Sequence, residues 1–375
     1  MYKLKEKADE YQALIDEIFD KLHSIPEKGL KEYKTSAYLK EKMEEAGCFH
    51  EIIQVGETGL IGVIHGREPG PVIGIRADFD ALEFEIDGEK VCKHACGHDA
   101  HATMALVAAI IAGKEGLKKG TLKLVLQPAE EILAGARLII DSGHIDDVDE
   151  MYGGHLRPIQ EAKFGEATAG LWHSASKMVK VKVQGKEAHG ARPHLGINSI
   201  DAGVCIVNAV NSIHLNPASN YSVKCTEFRA GGLATNIVPA DCSLAFDLRA
   251  DTNEGMDELF RKVEAAVVNG AAAVGAKAEI VEAGGVPAAT YDPELLEVTR
   301  EAITDVLGSC LPDIYTPGGE DFHFFATEGG LRTAYFGLGA DLKPGLHSID
   351  MEFDPRALTV GVKIWLNIIE NRLMR

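Results

Sequence analysis

The chain has 375 residues, 46% hydrophobic and 25% charged, which is enough apolar material for two domain cores and too much for a disordered chain. With 38 Lys and Arg against 57 Asp and Glu the formal charge is −19, which argues against nucleic acid and anionic membrane surfaces as partners. No run reaches the roughly 18 apolar residues of a membrane span. The N-terminus lacks the apolar core of a signal peptide, and seven scattered cysteines suit a reducing cytoplasm better than a disulfide framework.

The first segment, about residues 3–24, is predicted helical from the spacing of Tyr11, Leu14, Ile15, Ile18 and Leu22. A second helix is expected over Thr35–Ala46. β-branched apolar runs at Gly59–His65, Pro71–Arg76 and Thr121–Gln127 read as strands, with a helix over Asp99–Gly113 that Asp99 could cap. This alternation predicts an α/β layer whose strand ends carry the site. From Lys177 the pattern changes. Val179, Val181 and Val183 alternate with polar residues as on a half-solvated strand. Tyr221–Ala230, Asn236–Ala250 and Ala278–Val281 read as further strands, and Asn198–Ile213 and Glu254–Val268 as helices. A smaller α+β domain over residues 177–286 is therefore expected as an insertion in a discontinuous domain of residues 1–176 and 287–375. That larger domain resumes with helices at Glu294–Leu307 and Arg356–Leu373.

The densest cluster of metal-binding residue types is His94-Ala95-Cys96-Gly97-His98-Asp99-Ala100-His101. Cys96 and His98 can face one ion if the backbone turns at Gly97, and thiolate with imidazole suits zinc, nickel or cobalt. The same loop could equally be polar, with histidines that only hydrogen-bond the backbone. Gln127-Pro128-Ala129-Glu130-Glu131 follows an apolar strand. On extended backbone the two carboxylates would point oppositely, one to a metal and one to an attacking water of pKa about 7. They could also be an acidic helix start. His155 is expected just after a short strand, and His347 lies far downstream in Gly345-Leu346-His347-Ser348. Cys96, His98, Glu131, His155 and His347 together would offer five ligands, enough for two ions sharing a bridge.

These motifs, with Arg76-Ala77-Asp78-Phe79-Asp80-Ala81-Leu82, Gly185 to His189, Gly232 to Pro239 and Glu320-Asp321-Phe322, span nearly the whole chain. In order and spacing the sequence resembles the metallopeptidase family of hippurate hydrolase, aminoacylase, indole-acetyl-amino-acid hydrolase and glutamate carboxypeptidase, with the amidohydrolase branch nearest. The resemblance implies a zinc-peptidase-like catalytic domain with a central mixed sheet flanked by helices, plus an inserted lid and dimerisation domain. It implies two divalent ions (Zn, Mn, Ni or Co) bridged by Cys96, with His98, Glu131, His155 and His347 as the other ligands. Glu130 would be the general base, and Asp80 would orient a ligand. His189 of the lid would stabilise the oxyanion, and Asn236 would touch substrate. Two stretches depart from the family pattern: the short acidic Glu83–Gly88, and Gly170–Ser176, whose Trp172 and His173 could contact substrate or, the favoured reading, pack at the hinge.

The function this implies is metal-dependent hydrolysis of the amide of an N-acyl amino acid, amino-acid conjugate or dipeptide-like compound, in a homodimer joined through the lid. A dipeptidase or carboxypeptidase of the same family is the alternative. Two readings outside that mechanism are Cys96 as a metal-free nucleophile and a non-catalytic binding protein. The latter has no chemical need for Glu130 beside the ligands.

Overall fold

The computed structural model describes residues 4–375 and divides into two compact units. One takes the chain up to Trp172, with Thr290–Tyr315 and Asp321–Arg375; the other takes His173–Ala289 with Thr316–Glu320. The expected span of 177–286 lies inside the second unit.

In the first unit the apolar runs become neighbours in a seven-stranded mixed sheet. Its order is Glu51–Val55, Gly59–His65, Lys119–Gln127, Glu68–Asp78, Glu150–Pro158, Arg332–Leu342 and Ala167–Thr168. The four strands from Lys119–Gln127 to Arg332–Leu342 are parallel, and the three outer strands run antiparallel to their neighbours. Because Asp78 pairs with Gln127, two parallel strands end level, and the loops carrying Asp80 and Glu130 leave the sheet side by side. Parallel strands of this kind are covered on both faces, which explains their near-continuous apolar runs.

Helix His98–Glu115 is buried on every side from His98 to Ala112, so it is a core helix with no solvent stripe. It packs against the C-terminal helix Arg356–Leu373 at a crossing where a Cβ on Gly361 would come within 2.0 Å of Met104 Sδ. Its start differs from expectation. Gly97, at φ +90°, occupies the cap position, and Asp99 accepts from the His23 ring and from Ala100 N. The first predicted helix is a 3₁₀ segment, Leu4–Tyr11, followed by Gln12–His23; its expected first residue, 3, lies outside the described residues. Residues 82–93, which include the acidic stretch, form a hairpin turning at Asp87-Gly88, both at positive φ, as two-residue hairpin turns require.

The second unit is a four-stranded antiparallel sheet in the order Tyr221–Ala230, Asp241–Ala250, Ala175–Gln184, Lys277–Val286. Val179, Val181 and Val183 sit in its core, which the two helices Ser199–Asn211 and Asn253–Ala272 complete. Asn198 and Thr252 cap these helices through their side chains. The strand expected over Asn236–Ala250 breaks at Pro239-Ala240 into Ile237–Val238 and Asp241–Ala250, since proline cannot donate to a ladder.

Candidate metal centre

At the C-terminal ends of the parallel strands the first unit gathers residues from five separate stretches of chain. Cys96 Sγ belongs to two groups of ligand atoms, each with its members within 4.8 Å of one another: Cys96, His98 and His155, and Cys96, Glu131 and His347. A third group of the same spacing contains His98, Glu130 and Glu131. Cys96, His98, Glu130 and His155 are buried, whereas the His347 side chain is 58% exposed and forms the open rim. His347 sits at φ +62° and is tied down by its N–H bond to Ala95 O, which brings this distant loop against the Cys96 turn.

The two buried ligand imidazoles, His98 and His155, are each oriented by a partner on the other nitrogen. His98 Nδ1 donates to Asp80 Oδ1 at 3.0 Å and leaves Nε2 facing the cluster. His155 Nδ1 donates to Leu156 O at 2.6 Å, with Nε2 3.4 Å from Cys96 Sγ. Asp80 also accepts from Glu131 N through Oδ2, so one carboxylate braces two of the cluster's residues. His155 lies within its strand, Glu150–Pro158, and not after it.

Glu130 and Glu131 do not sit on extended backbone. Their strand ends at Gln127, Ala129 turns at φ +57°, and both carboxylates converge on His98 Nε2 at 3.9 Å. On a pleated strand two consecutive side chains would point to opposite faces, so the turn is what brings both to one place.

Beneath the cluster lies a polar network of residues that the motifs contain without assigning them a role. Arg76, fully buried, donates to Gln127, Asp78 and Asp321; Asp321 also accepts from Gln127 and from Ala136 N. Its backbone N–H reaches Glu130 Oε1 at 3.4 Å. His101 donates from Nδ1 to Asp78 and accepts the Leu156 N–H on Nε2, with its ring edge-on to His155 at 4.3 Å. With both nitrogens used, His101 braces the strand that carries His155 and is no ligand itself. A charged Arg-x-Asp inside an otherwise apolar strand was the available signal.

The electrostatics favour a cation. Burial pushes the Cys96 thiol well up, only partly countered by His98. Burial also depresses His155, helped by His101 and Arg157. Burial opposes charge on His98, yet Asp78 and Cys96 outweigh it and raise that group well above the usual histidine range. Burial raises Glu131 against the pull of His98 and His347. His98 Nε2 and Glu131 Oε1 are buried and make no hydrogen bond, an expensive arrangement in a dry site. Thiolate, imidazole and carboxylate donors that converge in this way fit two borderline divalent ions.

In the second unit, Ala188–His189 pairs with Ile237–Val238, and Gly190 N donates to Asn236 O at 2.7 Å, so His189 and Asn236 are local neighbours. His189 Nδ1 accepts from Ala191 N, which puts the proton of the neutral ring on Nε2 as a donor. Trp172 Nε1 donates to Asp313, and its ring lies 5.9 Å from Tyr315 at 12°.

Residues 74–371 match the model of peptidase family M20/M25/M40. The chain is 29% identical to the Bacillus subtilis N-acetylcysteine deacetylase, covering 91% of this chain and 92% of that one. It is 28% identical to the N-acetyldiaminopimelate deacetylase of Listeria monocytogenes over 94% and 97% of the two chains. A Bacillus subtilis crystal structure described as a dinuclear metal-binding peptidase of the M20 family superposes with a TM-score of 0.81 and 26% identity, covering 98% and 99%. The protein belongs to peptidase family M20/M25/M40.

Proposed function

We propose that the protein is a dinuclear amidohydrolase that removes the acyl group from a small N-acyl amino acid. The observation that carries this reading is Cys96 Sγ standing in two ligand groups at once, with Glu130 beside them. His98 and His155 would hold one ion with Cys96, and Glu131 and His347 the other. Two divalent ions there, whether zinc, manganese, nickel or cobalt, would polarise the scissile carbonyl and acidify the attacking water. Glu130 takes the proton from that water and later delivers it to the leaving amine, its carboxylate held by the Asp321 N–H. His189 donates from Nε2 to the developing oxyanion, and Asn236 contacts the substrate. The two deacetylase relatives, which this chain matches over more than nine-tenths of its length, support the acyl amino acid class.

A homodimer through the second unit is part of the same reading. Its strand Tyr221–Ala230 is a sheet edge, and Ile200 and Val204 on the adjoining helix and Phe228 on that edge are exposed.

The test is hydrolysis of N-acetyl and N-benzoyl amino acids by metal-stripped protein, with each divalent ion restored in turn. Amine release should return with metal and fall by about 10²-fold or more in Glu130→Gln. Near-normal turnover in that variant, metals bound, would remove Glu130 from the role of base.

A further inference from the structure

Glu32 is fully buried and has no part in the chemistry described above. It precedes helix Tyr33–Ala46, and its carboxylate makes no cap bond to that helix. Oε1 accepts from Leu30 N at 3.0 Å and from Ala129 N at 2.9 Å, while Oε2 accepts from Thr58 Oγ1 at 2.9 Å. Three donors satisfy a carboxylate that burial would otherwise disfavour, and burial does raise its pKa. Leu30 and Ala129 are both non-glycine residues in the left-handed region, at φ +60° and +57°. The two loops also touch directly, since a Cβ on Gly29 would meet Ala129 Cα at 3.2 Å.

Ala129 is the residue on which the Glu130–Glu131 turn depends. Its carbonyl accepts from Ala134 N and Gly135 N, and Glu130 O accepts from Leu133 N. The turn is thus closed downstream by its own backbone and, at Glu131 N, by Asp80. Upstream, the Ala129 N–H bond to Glu32 is the tie that holds it. Alanine populates this conformation poorly by itself, because its Cβ crowds the following carbonyl; glycine carries no such penalty.

We propose that Glu32 is a positioning residue: its carboxylate clamps Ala129 in the left-handed conformation that turns both Glu130 and Glu131 onto the metal cluster. The proposal rests on the functional reading above. Glu32 touches neither ligand nor substrate and acts through the 129–131 backbone alone.

Four variants test it: Glu32→Ala, Glu32→Gln, Ala129→Gly and the double variant Glu32→Ala/Ala129→Gly. Each is read by turnover and by cobalt titration of the metal-stripped protein, followed through the thiolate–cobalt absorption. Glu32→Ala should lower kcat about tenfold or more and weaken cobalt binding. Glu32→Gln keeps a carbonyl acceptor for both N–H groups and should stay within a few-fold of the parent. Ala129→Gly added to Glu32→Ala should restore most of both readouts, because glycine takes up the turn without the clamp. If the double variant is as impaired as Glu32→Ala, or Glu32→Ala turns over normally, the clamp is refuted. Should Glu32→Ala fail to fold, Glu32→Asp, one methylene shorter, with and without Ala129→Gly, gives the same contrast. Should Glu130→Gln prove as active as the parent, the functional reading fails and the cobalt titration alone decides on the clamp.

Discussion

Arg76→Met is the sharpest test of how the centre is supported. Arg76 is 1% exposed, and its three hydrogen-bonding nitrogens reach Gln127, Asp78 and Asp321. Methionine fills much of the same space but leaves two buried carboxylates without their cation. Breaking a buried pair in this way costs about 3–5 kcal/mol, which is large against a total stability of about 5–15 kcal/mol. The loss should also depend on pH. Burial works to raise the Asp78 pKa, but His98, Arg76 and His101 outweigh it and hold the group well below the usual range. A carboxylate with a depressed folded pKa adds stability that is present above its unfolded pKa and is lost as pH falls through the folded one. Without Arg76 the folded Asp78 takes a proton at higher pH than in the parent. The gap between the two proteins is therefore full at neutral pH and narrows only as pH falls through the folded Asp78 pKa of the variant. Urea unfolding of metal-stripped protein can be followed by tryptophan fluorescence, since Trp172 and Trp365 both lie in the first unit. A loss under about 1 kcal/mol at pH 7, or a gap that widens as pH falls, would refute this account of the network.

Asp80→Ala removes the acceptor for both His98 Nδ1 and Glu131 N, and metal affinity should drop about 10–100-fold by competition titration; unchanged affinity would show that the ligands orient themselves. Val204→Asp places a charge on the exposed apolar face of helix Ser199–Asn211. On the proposed homodimer, the parent should sediment as a dimer and the variant as a monomer; a parent that sediments as a monomer removes the dimer, and a variant that still dimerises moves the interface elsewhere.

Legibility in the sequence followed the range of the interactions involved. Strand Tyr221–Ala230 and helix Arg356–Leu373 have the bounds expected from periodicity, because each has one face set by its own residues. Edge strand Glu51–Val55 and strand Arg332–Leu342 escaped notice, since nothing local distinguishes them before the sheet is assembled. The same holds at the site. Cys96, His98, Glu130, Glu131, His155 and His347 stand out by residue type and spacing. The turn at Ala129 does not, because an alanine at positive φ leaves no trace in composition; the strand geometry expected there was wrong for that reason. Glu32 resembles a surface acid in a chain with 57 acids, and Asp321, although inside a quoted motif, carries no local sign of its partner. Only the fold shows that they are buried against Ala129 N and Arg76.

The charges at the site sort into two layers that do different work. In the lower layer Arg76 stands between Asp78 and Asp321, and the excess negative charge is spread over neutral donors from Gln127 and Ala136. This layer is satisfied by the protein itself and can hold its shape in the metal-stripped state. In the upper layer Asp80, Glu130 and Glu131, with Cys96 once ionised, would bring four negative charges together, and His98, one of three imidazoles there, presents an unbonded nitrogen. Two divalent cations match those four charges. The upper layer is therefore the part whose stability should track metal, while the lower layer keeps the ligands within reach of one another before any ion arrives. That division predicts where strain can be tolerated: Ala129 and His347, both at positive φ, belong to the upper layer, and each is held by hydrogen bonds from a neighbouring loop.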